Sequence, residues 1–104
     1  MYRRPVIDAD TKLFIAWYKR AQWPRLRALS DEPDKLAETY DEWLASANAQ
    51  LAELRARGLA VRKVIVDVEE LAAWCRRQGR KVEPSAAAAF AATLAEQGRG
   101  LLDW

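Results

Sequence analysis

Hydrophobic positions in the middle of the chain recur at three- and four-residue steps, which is the period of an amphipathic helix. The pattern predicts a helix over residues 33–57. Ser30 and Asp31 offer capping side chains at its start, Pro33 suits its first turn, and Gly58 suits the left-handed position after its end. The predicted apolar stripe consists of Leu36, Tyr40, Trp43, Leu44, Ala47, Leu51 and Leu54.

The second half of the chain predicts two shorter helices, over residues 68–78 and 85–97. Asp67 and Glu70 have the spacing of a capping box at the start of the first of them. Each predicted helix is followed directly by a glycine, Gly79 after the first and Gly98 after the second, which is typical of a helix end.

The N-terminal third also has apolar residues at helical spacing, and we expect a helix over residues 10–22. Trp23 precedes a proline and is therefore biased away from helical conformation, so the helix is expected to stop there. Pro24 suits the first position of a short helical turn over residues 24–29. The apolar positions of the first helix are Leu13, Phe14, Trp17, Tyr18 and Ala21.

A valine-rich segment, residues 59–67, is the one clear strand pattern. Val64 and Val66 alternate with Lys63 and Ile65, so one face of the strand is fully apolar and the other partly so. A buried strand needs hydrogen-bond partners. Three solutions are open: residues 2–7 pair with it, the same strand of a second copy pairs with it, or a partner protein adds a strand.

These elements together predict a predominantly helical α+β fold, with about four helices and one central β-strand. The chain has 104 residues, which suits a single small domain with its own core. The predicted core consists of Trp17, Leu36, Tyr40, Trp43, Leu44, Leu51, Val64, Val66, Leu71, Trp74, Phe90 and Leu94.

The amino-acid composition argues against several kinds of chemical site. The chain has no His and one Cys, which argues against an internal disulfide, His-based catalysis and most metal sites. Cys75 lies on the apolar face of a predicted helix, and we expect a small core residue there. Asp8 and Asp10 have the spacing of a metal pair, but a helix cap explains them better. No catalytic residue, metal or cofactor is expected.

Charge is spread unevenly, although the net charge is only +2. Residues 1–30 carry seven Lys or Arg against two Asp, whereas residues 31–60 carry three against seven acidic residues. Neighbouring segments of opposite sign more often pair with each other than with nucleic acid. Nucleic-acid contact is therefore an alternative, and its candidate residues are Lys19, Arg20, Arg25 and Arg27.

The tail, residues 99–104, is unusually apolar for a chain end. It either docks on its own domain or contacts another molecule. Its apolar side chains and Trp23 are the candidates for an exposed interaction patch. No stretch approaches the length of a membrane span, and no apolar leader follows the N-terminal arginines, so we expect a cytoplasmic protein. The candidate patch residues are Trp23, Leu101, Leu102 and Trp104.

The motifs YDEWL and VDVEELAAWC, together with an aromatic-rich segment before them, resemble a group of small, uncharacterised bacterial proteins of about this length. The resemblance covers residues 13–95. It implies a single bacterial, cytoplasmic domain, and it assigns no function and no site residue.

The leading functional hypothesis is a non-catalytic protein-interaction module, with an unknown protein or a second copy as its partner. Self-association would use the strand or the apolar tail. The alternative is an accessory protein that binds RNA or DNA through the basic N-terminal helices. A small enzyme is the least favoured hypothesis. No membrane partner is expected.

Overall fold

The computed structural model describes residues 12–101, and these form four α-helices and a two-stranded sheet. The predicted class, a predominantly helical α+β fold, is confirmed. The elements are β1 (Lys12–Trp17), α1 (Trp23–Leu29), α2 (Tyr40–Ala56), β2 (Ala60–Ile65), α3 (Val68–Gln78) and α4 (Pro84–Glu96), with single 3-10 turns at Arg20–Gln22 and Pro33–Lys35.

The helix predicted over residues 10–22 is wrong, because this segment forms β1 and then a 3-10 turn. Residues 13–17 read LFIAW, so they are apolar on every side. Such a run fits a helix by spacing and equally fits a strand that is covered on both faces. The short helical turn predicted over residues 24–29 is confirmed as α1, which begins one residue earlier, at Trp23.

The partner of the valine strand is β1, which pairs with β2 in parallel. Leu13 lies beside Val61, and Trp17 lies beside Ile65. Parallel neighbours need a long crossover, and α1 and α2 supply it between the two strands. Residues 2–7, one of the predicted partners of this strand, lie outside the described residues.

The sheet carries helices on both faces. Trp17 and Val61 on one face pack against Ala47 and Leu51 of α2. The other face, with Val64 and Val66 at its centre, is covered by α1, α3 and α4. Alanines of α4 let this helix lie close to β1. The buried alanines are Ala86, Ala87 and Ala91.

The long middle helix is shorter than predicted, because it begins at Tyr40 and not at residue 33. Thr39 provides a stronger start: its Oγ1 accepts a hydrogen bond from the amide of Glu42 at 3.1 Å, and it donates to the Glu42 carboxylate. The predicted start of α3 is confirmed, since Asp67 Oδ1 accepts from the amides of Glu69 and Glu70.

The first part of the apolar tail docks on its own domain. Leu101 forms an antiparallel bridge with Val64, and the Ile65 amide donates to the Gly100 carbonyl at 2.8 Å. The tail thereby covers part of the outer edge of β2. Leu102 and Trp104 lie outside the described residues. Among the helices described, none has the length and apolar character needed to cross a bilayer.

Candidate functional site

The outer edge of β1, on the side away from β2, carries backbone groups that the pairing with β2 does not use. The Val66 amide donates to the Trp17 carbonyl, so Trp17 faces β2 with its backbone groups. In a parallel ladder successive residues alternate, and Phe14 and Ala16 therefore point their N–H and C=O groups away from β2. Within residues 12–101 no hydrogen bond reaches these outward groups.

This edge forms the floor of a cleft of about 590 Å³, which we call the β1 cleft. Leu13 and Ile15 from one sheet face and Phe14 and Ala16 from the other all line it, so the cleft follows the strand edge. One wall comes from α2, and the other comes from the segment before α2 and from the start of α4. The wall residues are Trp43, Ser46, Gln50 and Leu54 on α2, and Ser30, Lys35, Leu36, Ala37, Val82, Glu83, Pro84, Ala87 and Ala88 opposite.

Polar side chains lie at the rim of the β1 cleft and apolar ones line its interior. Ser46 and Gln50 on α2 and Lys35 opposite are exposed, whereas the β1 residues Leu13–Ile15 are half-buried. An apolar centre inside a polar rim is the usual anatomy of a protein interface. A segment that enters this cleft can therefore bury side chains and pair its backbone at once.

An aromatic cluster fixes one end of the β1 cleft. The Trp43 ring lies 5.1–5.4 Å from the rings of Trp17, Tyr18, Trp23 and Tyr40. The Tyr40 hydroxyl donates to the Tyr18 carbonyl at 2.8 Å, and the Trp23 Nε1–H donates to the Ala37 carbonyl at 3.1 Å. Burial raises the pKa of Tyr18 to about 12. The cluster ties α1, α2 and β1 together, so the cleft is formed by packed elements.

Trp23 does not belong to an exposed interaction patch, in contrast to the prediction. Its side chain is only 2% exposed, because it starts α1 and turns into the core beside Tyr18 and Trp43. Leu101 is half-buried against the same core. Of the predicted patch, Leu102 and Trp104 lie outside the part of the chain that the structure describes.

The basic residues proposed for nucleic acid do not form one free cationic face. Arg20 donates to Asp41 at 2.7 Å, and its guanidinium lies 4.7 Å from the centre of the Tyr40 ring. Arg25 binds the Glu69 carboxylate, and this hydrogen bond lowers the pKa of Glu69.

Arg27 contacts backbone carbonyls and not a carboxylate. It donates to the carbonyls of Leu36 and Ala37, at 3.1 and 2.8 Å, and so closes the end of the segment between α1 and α2. Lys19 is exposed. Three of the four cations therefore make intramolecular contacts, and each contact is to a different element.

A smaller polar cavity of about 290 Å³ lies at the carboxyl ends of both strands, where parallel sheets often bind ligands. Two of its charged residues pair with each other, since Arg99 donates to the Glu70 carboxylate at 2.9 Å. The amides at the start of α3 are also satisfied, because Gln22 Oε1 accepts from Val68 at 2.7 Å and Asp67 accepts from the next two. Arg99 and these amides, which could hold an anion, therefore already have protein partners, whereas Lys19 also lines the cavity and is exposed.

Nucleophilic and metal chemistry find little support among residues 12–101. Cys75 is only 1% exposed, and burial raises the pKa of its thiol, so the core role predicted for it is confirmed. The described residues contain no cluster of three or more His, Cys, Asp or Glu that could hold a metal ion. Asp8 and Asp10 lie outside them.

The β1 cleft could not be predicted from the sequence, because the pattern of residues 10–22 had predicted a helix there. The signal that could have found it is the uninterrupted apolar run from Leu13 to Trp17, which suits a strand between two helical layers. The open edge itself required knowledge of the pairing with β2.

Comparison with protein families, with curated proteins and with solved structures finds no match to this chain. The resemblance to small bacterial proteins therefore stays a prediction, and the geometry of the β1 cleft is the basis for a functional proposal.

Proposed function

We propose that this chain is a non-catalytic protein-interaction module that binds an extended, apolar segment of a partner protein alongside β1. The observation that carries the proposal is the outward N–H and C=O groups of Phe14 and Ala16 at the floor of an apolar cleft. A strand edge of this kind recognises a partner through main-chain hydrogen bonds, and side-chain pockets add specificity.

The walls of the β1 cleft favour a free segment over a second folded copy. In each copy the β1 edge lies between α2 and the start of α4, so both edges are recessed. Two recessed edges cannot approach to the roughly 4.8 Å that separates paired strands. A single extended segment has no walls of its own and fits between them.

The ligand chemistry follows from alternation along a strand. Successive side chains of the bound segment face the α2 wall and the α4 wall in turn, and each wall offers an apolar side chain, Leu54 on α2 and Ala87 on α4. We therefore expect apolar residues at several consecutive positions, without proline at the positions that face β1.

The experiment is a selection of random peptides on the immobilised full-length chain, followed by affinity measurements with two variants of one residue. Ala16→Pro removes the outward N–H and leaves the bonds between β1 and β2 in place, since Ala16 does not use its backbone groups there. Ala16→Ser retains the N–H and is the matched control. Thermal unfolding of both variants checks that they are folded.

We expect enrichment of extended apolar peptides, a loss of affinity of at least about tenfold in Ala16→Pro, and near wild-type affinity in Ala16→Ser. Failure to enrich any peptide, or equal affinity of the two folded variants, would contradict the proposal.

Binding of RNA or DNA is the second candidate, and no observation favours it over the first. The contacts of Arg20, Arg25 and Arg27 argue against a shared phosphate-binding face. Polyanion binding that weakens steeply with added salt, and weakens further in Lys19→Ala, would reverse this preference.

A further inference from the structure

Two polar groups in the aromatic cluster of the β1 cleft have no hydrogen-bond partner in the described part of the chain. They are the Tyr18 hydroxyl and the Trp43 Nε1–H, and both residues line the cleft. Their rings are in contact, with 5.3 Å between centroids. Tyr18 is only 7% exposed, and buried polar groups in proteins usually have a hydrogen-bond partner. These two donors are therefore available to an acceptor on a ligand.

Two other polar side chains that line the cleft show the contrast, because each is already satisfied within the protein. The Trp23 Nε1–H donates to the Ala37 carbonyl at 3.1 Å. The Ser30 hydroxyl donates to the Val82 carbonyl at 3.3 Å. The unpaired donors are thus confined to one end of the cleft, where Tyr18 meets α2.

Main-chain pairing along the outer edge of β1 also stops at this end. The Tyr18 carbonyl continues the two-residue alternation of Phe14 and Ala16, but it already accepts the Tyr40 hydroxyl at 2.8 Å. A segment bound beside β1 finds no main-chain acceptor at Tyr18 and meets the aromatic side chains there. Recognition at this end therefore depends on a side chain of the bound segment.

The two unpaired groups both act as donors at neutral pH. An indole N–H can only donate. Burial raises the pKa of Tyr18 to about 12, so its hydroxyl keeps its proton. The ligand group that matches them is an acceptor, and an amide oxygen has lone pairs for two donors.

An uncharged acceptor suits this environment better than a carboxylate. The burial that disfavours the tyrosinate form of Tyr18 disfavours any other anion beside it. Arg20, which lies over the Tyr40 ring, is already paired with Asp41. Lys63 lies over the ring of Trp17, which does not line the cleft. These two cations therefore do not compensate a carboxylate at Tyr18.

We propose that Tyr18 and Trp43 form a specificity site for an uncharged amide oxygen, supplied by an asparagine or glutamine that adjoins the apolar run of the bound segment. We call it the amide site. The Tyr18 hydroxyl donates to the amide oxygen, and the Trp43 Nε1–H is the second donor. The identity of the ligand rests on the proposed function, but the amide site can be tested without a peptide.

Titration of the full-length chain with two small probes tests the amide site. Benzamide carries an amide on an apolar ring, and toluene is its counterpart without the amide. Both dissociation constants are measured in the millimolar range from the NMR shift of the Trp43 Nε1–H. Tyr18→Phe should weaken benzamide binding at least about fivefold and leave toluene binding unchanged. No benzamide binding to the wild type, or equal benzamide affinity of both proteins, would overturn the inference.

Tyr40→Phe is the matched control, because it removes a hydroxyl of the same cluster that is bonded within the protein. It should keep the wild-type ratio of benzamide to toluene affinity. Thermal unfolding at neutral pH should show a lower midpoint for Tyr40→Phe and no decrease for Tyr18→Phe, since the Tyr18 hydroxyl satisfies no protein group. Equal decreases would assign the Tyr18 hydroxyl to the fold and would also overturn the inference.

Selected peptides test the class of ligand. Asparagine or glutamine should recur beside their apolar run. Replacing this residue of a peptide by leucine should weaken binding to the wild type at least about tenfold, and to Tyr18→Phe less than about twofold. Equal losses in the two proteins would contradict the proposal.

The two proposals fail separately. If benzamide binding depends on Tyr18 and no peptide is ever selected, the amide site stands and the interaction module does not. If peptides bind through Ala16 without a preference for an amide side chain, and benzamide affinity is the same in both proteins, the module stands and the amide site does not.

Discussion

The Val66 amide donates a hydrogen bond to the Trp17 carbonyl, with 2.9 Å between nitrogen and oxygen. This contact fixes which backbone groups of β1 are used inside the sheet and which face outward. Since strand residues alternate, it assigns Phe14 and Ala16 to the outer edge. The functional proposal follows from this alternation and from the apolar cleft around it.

Trp43 connects most of the aromatic cluster, and its truncation should be costly. We expect Trp43→Ala to lower the free energy of unfolding by about 3 kcal/mol, since one half-buried ring contacts four others. Trp74→Ala is the comparison, because among the described aromatic residues Trp74 packs against Phe90 alone. Chemical denaturation measures both, and an equal loss would contradict the central place of Trp43.

Ionisation of Tyr18 should make the fold less stable at high pH. The pKa is about 12 in the folded chain, against an ordinary value of 10.0, so the unfolded chain loses this proton first. The stabilisation is complete below pH 10 and declines between pH 10 and 12 by about 1.4 kcal/mol per pH unit. Tyr18→Phe should lack this pH-dependent loss of stability. Identical dependence of the unfolding free energy on pH in both proteins would contradict the prediction.

The cap of α3 offers a matched pair of substitutions. Asp67→Ala removes the acceptor of two backbone amides and should cost about 1 kcal/mol. Asp67→Asn retains an oxygen acceptor and should cost less. Urea denaturation at neutral pH separates them, and equal costs would mean that the cap hydrogen bonds are not what matters at this position.

The docked tail can be tested at two glycines of similar conformation. Gly98 and Gly100 both have positive φ, and a Cβ at Gly98 would meet no atom within 4 Å. A Cβ at Gly100 would lie 2.7 Å from the Ile65 carbonyl oxygen. Gly98→Ala should therefore cost about 1 kcal/mol from backbone strain alone, and Gly100→Ala clearly more. Equal losses of unfolding free energy would contradict docking against β2.

Helix ends were the part of this fold most accessible to sequence reasoning. The boundaries of α3 were predicted correctly, because Asp67 and Gly79 act on their own neighbours. The start of α2 was missed because Thr39 and Glu42 cap the helix more effectively than the residues around Pro33.

The sequence of β1 alone could not decide between a helix and a strand. Its apolar run fits two secondary structures, and its pairing with β2 depends on contacts more than forty residues away. The candidate site could not be predicted for the same reason. The unpaired edge of β1 can be identified only when the edge that pairs with β2 is known. The burial of Trp23 likewise depends on Tyr18, Tyr40 and Trp43, which arrive from other elements.

Binding of a peptide alongside β1 can be measured directly, by nuclear Overhauser contacts between a selected peptide and the labelled chain. We predict contacts from the peptide backbone to the amides of Phe14 and Ala16, in the pattern of a paired strand. Contacts confined to another surface, with both amides unperturbed by saturating peptide, would contradict the account.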